Sequence, residues 1–191
     1  AWREHQRVPL EPKHVEPFRS SQQSSAANGD RTASNVLAEW SIAGLDGGFQ
    51  AHPRWESGDA VIKLDESRFR PDYGPTDWFA FSHMNGPRLD PGRYIQILVP
   101  PGKRLSELNV NIYSSKAGPQ KAAIRSNVDG FAANVAEANL VRGSHNRIEA
   151  DLSGCASATE LRLYLWDARG FQKGWLSDNG RMPAVVLKGS E

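Results

Sequence analysis

An alternation of apolar and polar residues constrains this chain more than any other feature. In RLSELNVNIYS (104–114), Leu108, Val110 and Ile112 fall on one side of an extended strand, and Asn109, Asn111 and Tyr113 on the other, because successive side chains of a strand point to opposite faces. RYIQILV (93–99) sets Ile95, Ile97 and Val99 against Tyr94, Gln96 and Leu98, and ELRLYLW (160–166) sets Leu161, Leu163 and Leu165 against Arg162, Tyr164 and Trp166. A period of two predicts strands that give one face to a core and keep the other polar.

Similar short runs recur along the chain with turn signals between them. VLAEWSI (36–42), AVIKLDE (60–66), WFAFSH (78–83), QKAAIRS (120–126), FAANVAEA (131–138), NRIEADL (146–152), KGWLSD (173–178) and PAVVLKG (183–189) complete about ten strands. The chain's 17 Gly and 12 Pro supply the punctuation between them, and no amphipathic segment of helical length competes. The fold class this predicts is all-β: a two-sheet antiparallel β-sandwich, jelly-roll-like, over residues 36–191.

Residues 1–35 read differently. Pro9, Pro12 and Pro17 favour extended backbone, and a Ser/Gln/Ala/Asn run without apolar periodicity follows, so this segment is expected to be an extended, mostly irregular N-terminal arm or linker. Trp2, Val8, Leu10, Val15 and Phe18 find no core in such an arm, and they are its candidate anchors on a protein partner, by strand addition to a sheet edge.

Charge and cysteine content narrow the function. Lys+Arg of 23 against Asp+Glu of 22 gives a formal charge of +1, which steers the protein neither to nucleic acid nor to an anionic membrane. No run approaches the roughly 18 apolar residues of a membrane span, and the opening AWREHQRVPL is not a signal peptide. Cys155 stands alone, so no disulfide forms within the chain and a thiolate zinc site is excluded. A structural thiol is the expectation for it.

No catalytic constellation emerges. The five His residues lack metal-ligand spacing, and neither a G-x-S-x-G elbow nor a phosphate-cradling Gly-rich loop is present, so the chain is expected not to be an enzyme and to need no cofactor. The stretch AAIRSNVDGF (122–131) looks like a strand running into a tight two-residue turn at Asp129-Gly130, with Phe131 opening the return strand and packing inward. Ser126, Asn127 and Asp129 offer oxygens for a structural Ca²⁺, too few by themselves for an ion that takes about six to eight ligands.

A better candidate is the outer face. If the strands carrying Asn109, Asn111 and Tyr113, Lys121, Ala123 and Arg125, and Arg162, Tyr164 and Trp166 are neighbours, they form a shallow surface with rings for sugar CH faces and amides or guanidinium for hydroxyls. Loop aromatics, densest in DYGPTDWFAF (72–81), are core-edge packing or interface anchors.

The order of EWSIAGLDGG, YIQILVPPGKRLSELNVNIYSSKAGPQKAAIRSNVDGFAANVA, LRLYLWDA and LSDNGRMPAVVLKG resembles the β-sandwich, jelly-roll-like ectodomain module of bacterial PEP-CTERM-type exported proteins. The resemblance implies a secreted, non-catalytic protein of the cell surface or exopolysaccharide. That family's Pro-Glu-Pro motif and apolar anchor helix are not among the residues up to Glu191, which leaves the arm as the expected attachment. The function expected first is an extracellular structural or accessory subunit, held by its arm to another copy or to a larger assembly. The alternative is a carbohydrate-binding module, for exopolysaccharide, that uses the Asn/Tyr/Arg/Trp face.

Overall fold

The computed structural model describes residues 35–41, 54–64, 79–81, 84–170, 174–180 and 182–191. The arm anchors Trp2, Val8, Leu10, Val15 and Phe18 lie outside the described residues, as do Tyr73, Trp78 and Phe171. Among the described residues no helix is long and apolar enough to cross a membrane.

Among the described residues, twelve strands form two antiparallel sheets of six strands each. The first sheet holds β1 (Asn35–Trp40), β4 (Phe79–Phe81), β6 (Arg104–Ser114), β9 (Ser144–Asp151), β11 (Gly174–Leu176) and β12 (Val185–Ser190). Its centre is β6, one edge of which is taken by β9, while β12 and then β11 share the other. The second sheet runs β2 (Arg54–Ser57), β3 (Ala60–Leu64), β5 (Ile95–Leu98), β10 (Glu160–Trp166), β7 (Lys121–Ser126), β8 (Ala136–Asn139). The predicted all-β sandwich is the observed fold.

The apolar halves of the alternating strands line up across each sheet. In the first, Trp40, Val185, Val110 and Ile148 form one cross-strand row, and Ala38, Leu187, Leu108 and Ala150 the next. Trp55, Ile62, Ile97 and Leu161 make the matching row in the second. All twelve side chains are buried, and facing rows of this kind are what sheet-on-sheet packing requires. Trp40 ties the two layers with a polar handle, its indole Nε1 donating to the Trp55 carbonyl at 3.0 Å. Glu39 N donates to Ser57 Oγ beside it, also at 3.0 Å.

The strand β2 has no counterpart among the predicted runs. Its hairpin with β3 turns at Gly58-Asp59, where Gly58 has φ 56, a left-handed conformation that costs glycine little. β8 starts at Ala136 rather than Phe131, which changes the predicted corner. Asn127–Asp129 form a 3-10 turn capped by Gly130 at φ 69, so positive φ is needed at Gly130 as expected, but as a cap and not within a two-residue hairpin. Phe131 is itself left-handed at φ 64, opens no strand, and carries its ring to the outer face of the second sheet.

Candidate functional site

The outer residues divide between the two sheets. Asn109, Asn111 and Tyr113 belong to β6 in the first sheet, whereas Arg125 belongs to β7 and Arg162, Tyr164 and Trp166 to β10, both in the second. The single surface expected from all seven residues is therefore corrected to two surfaces on opposite sides of the sandwich.

On the first sheet the amides are structural. Residues 177–180 and 182–184, between β11 and β12, lie against β6, with Asn111 Nδ2 donating to the Pro183 carbonyl at 2.6 Å and Arg147 Nη1 reaching Met182 Sδ at 3.1 Å. Asn109 accepts from Arg147 Nη2 at 3.1 Å and donates to the Glu107 carboxylate. These contacts leave Asn109 and Asn111 only 4% and 3% exposed, which removes them from a ligand surface. Tyr113 packs edge-on against His145, ring centroids 5.1 Å apart.

On the second sheet the polar side chains form a continuous surface. Cross-strand register places Lys63, Gln96, Arg162 and Arg125 in one row across β3, β5, β10 and β7. Tyr164 and Ala123 occupy the next row, and Trp166 opposite Lys121 the one after, where Lys121 Nζ donates to Asn139 Oδ1. Tyr94, just before β5, meets Tyr164 with centroids 5.7 Å apart and rings tilted by 58°. Tyr164 is only 1% exposed, which removes it from direct ligand contact and corrects its expected place on the binding face; it packs beneath this surface with the Arg125 guanidinium 5.4 Å from its ring centroid.

Arg162 is the hub. Its guanidinium carbon lies 4.0 Å from the Tyr94 ring centroid and 3.5 Å from that of Phe131, and its Nε donates to Glu160 Oε1 at 2.7 Å. Burial opposes its charge, but the hydrogen bonds with Glu160 and Tyr164 prevail and hold its pKa above the ordinary guanidinium value. Contacts of a cation with ring faces contribute about 0.5–2 kcal/mol each, depending on desolvation.

The loop that brings Phe131 here is held together by the side-chain oxygens of Asn127 and Asp129. Asp129 accepts from the N–H groups of Ala133 at 2.9 Å and Ala132 at 3.2 Å, and the Ala133 bond is first among the causes that hold its carboxyl below the ordinary range. Asn127 Oδ1 accepts from Thr159 N and Glu160 N at 3.1 and 3.2 Å, while Ser126 is buried. Arg125 closes the loop, Nε donating to Asn134 Oδ1 at 2.7 Å and Nη1 to the Phe131 carbonyl at 3.0 Å. Among the described residues no group of three His, Cys, Asp or Glu side chains could hold a metal ion.

Tyr94, Gln96, Lys63, Phe131 and Glu160 were not among the sequence candidates, although the alternation of β5 had already put Tyr94 and Gln96 on this side. Cys155 lies away from it, buried, with burial pushing its thiol pKa up. A hollow of about 140 Å³ bounded by Arg104, Ser106, Ser153 and Ser190 opens at the end of the sandwich where β6 begins.

No family model and no curated protein sequence matches the chain. Among solved structures it is similar to the F5/8 type C domain of a Bacteroides fragilis protein, at 10% identity and TM-score 0.39, over 85% of this chain and 95% of that one. It is also similar to a CBM22-2 xylan-binding domain from Paenibacillus barcinonensis, at 14% identity and TM-score 0.36, over 81% of this chain and 98% of that one.

Proposed function

We propose that this protein is a non-catalytic, extracellular carbohydrate-binding module whose ligand lies on the outer face of the second sheet, across β5, β10 and β7. The observation that carries this reading is Phe131. A bulky residue at φ 64 is in a sparsely populated conformation whose cost, about 1–2 kcal/mol, must be met by the surrounding structure. Here the loop is held by Asp129, Asn127 and Arg125, and the result is a half-buried ring on a polar sheet face beside Tyr94 and Arg162. Rings set beside hydrogen-bonding guanidinium and amide groups match the two sides of a sugar, its CH face and its hydroxyls. This puts the carbohydrate reading ahead of the structural-subunit reading, which depends on an arm outside the described residues.

The test is retention in native gels cast with soluble polysaccharides. Wild-type protein is retarded by at least one of them, and Phe131→Ala with Tyr94→Ala restores free mobility while the circular dichroism spectrum stays unchanged. Unaltered mobility of the wild type across neutral and acidic polysaccharides would refute the proposal.

A further inference from the structure

Resting on that reading, we infer that the ligand is an anionic polysaccharide, bearing carboxylate or sulfate groups, that crosses the second sheet along the row Lys63, Gln96, Arg162 and Arg125. Arg162 and Arg125 are direct cross-strand partners. Like charges in that position repel and destabilise a sheet, a cost that the loop hydrogen bonds of Arg125 and the ring contacts of Arg162 offset within the fold. One carboxylate, Glu160, is paired with Arg162. Arg125 receives only neutral acceptors, the Asn134 amide oxygen and the Phe131 carbonyl, and among the described residues it has no carboxylate partner. Lys63 has none either, and continues the row two strands further on through Gln96.

Three cations in register over four strands span about 14 Å at the usual interstrand spacing, with Glu160 paired to Arg162 and Glu137 hydrogen-bonded to the Asn134 amide that holds Arg125. The chain as a whole carries only +1, so this excess is local and not part of a general basic character. Guanidinium groups bind planar or tetrahedral oxyanions through two parallel N–H bonds. Nε and Nη1 of Arg125 each donate a hydrogen bond within the loop, which fixes its plane and leaves Nη2 to give an oxyanion a single charge-assisted N–H bond. Phe131 joins both arginines, its carbonyl accepting from Arg125 and its ring lying against Arg162. Anchoring of this kind places the charges before the ligand arrives.

The experiment measures affinity of the full chain, by calorimetry, for polygalacturonate, dextran sulfate, neutral xylan and single-stranded DNA, in wild type, Arg125→Gln and Lys63→Gln. The inference predicts at least tenfold tighter binding of polygalacturonate or dextran sulfate than of xylan, a preference that Arg125→Gln removes and Lys63→Gln weakens about threefold. Whichever of the two acidic polymers binds tighter identifies carboxylate or sulfate as the recognised group. Because Arg125 also holds the loop through Asn134 and the Phe131 carbonyl, Arg125→Gln is expected to lower the melting temperature as well, and Lys63→Gln is the variant that tests charge with the loop intact. Xylan bound as tightly as the acidic polymers, with Arg125→Gln silent, overturns this inference and leaves the carbohydrate reading standing. Binding to none of the polysaccharides overturns both. Single-stranded DNA held as tightly as polygalacturonate overturns the inference in favour of a general polyanion surface.

Discussion

The Phe131 ring lies 3.5 Å from the guanidinium carbon of Arg162, and the residue that carries it has φ 64. The backbone of this loop is therefore held against its own preference to keep a ring on an arginine. Sequence, local strain and surface chemistry meet at one position.

That relationship separates stability from binding. Phe131→Gly relieves a conformation that costs an L side chain about 1–2 kcal/mol, and it removes a cation-ring contact of about 0.5–2 kcal/mol. The two changes nearly cancel, so the urea midpoint should move little. Polysaccharide affinity should fall at least tenfold. A large loss of stability with binding intact would show that the ring serves the fold alone.

The buried Asn111 makes a second prediction. Its Nδ2 clasps the Pro183 carbonyl at 2.6 Å, while its Oδ1 has no partner. Asn111→Ala removes the clasp at a cost of about 1–2 kcal/mol. Asn111→Asp has similar volume but sets an anion against a carbonyl in a site only 3% exposed, and should cost more, about 3 kcal/mol. Denaturant midpoints should rank wild type above alanine above aspartate, with proteolysis at 177–184 rising in the same order. Equal midpoints for all three would mean that the connection is not held through Asn111.

What the sequence made legible was periodicity within strands. The bounds of β6, Arg104–Ser114, coincide with the predicted run, and the inward sets of β5, β6 and β10 are buried as expected. The assignment of strands to sheets was not legible. β6 and β7 are consecutive, yet one pairs with β9, β11 and β12, and the other with β8 and β10, because antiparallel partners in a sandwich are chosen by non-local packing. Asn109 and Asn111 were misplaced for a related reason: period two distinguishes the two faces of a strand but does not show that a later connection covers the outer one. The hairpin at Gly58-Asp59 was readable from its Gly-Asp pair, but RWES offers one large apolar residue and no alternation. Phe131 could not be read as left-handed, since nothing in the residue type favours it.

Acid sensitivity should reside partly in Glu107. A hydrogen bond from Asn109, then one from Lys188 at 3.0 Å, hold its carboxyl below the ordinary glutamate value despite some burial. A carboxyl with a depressed folded-state pKa contributes stability that is fully present above the unfolded value, about 4.3, and is lost as pH falls through the folded value. The side chain is 38% exposed, so solvent screening keeps the contribution below about 1 kcal/mol. Glu107→Gln should be slightly less stable than wild type at neutral pH and converge with it in strongly acidic buffer. A constant gap between the two urea midpoints at every pH would assign the effect to packing and not to ionisation.

Gly189 tests the packing of the two central strands of the first sheet. It sits in β12 where the register with β6 shifts between Lys188 and Gly189, and it is buried there. A Cβ at this position would clash with the backbone carbonyl of Arg104 and come within 2.7 Å of Leu37 Cδ1. The carbonyl belongs to the ladder and cannot swing aside, whereas the leucine methyl can. Gly189→Ala should therefore cost about 1–3 kcal/mol, the usual penalty of overpacking. Leu37→Ala added to it should fail to restore the loss, because the obstructing atom is backbone. Full rescue by Leu37→Ala in thermal unfolding would mean that β12 moves freely away from β6 at this point, and that the bulge, not the close approach, is what the glycine serves.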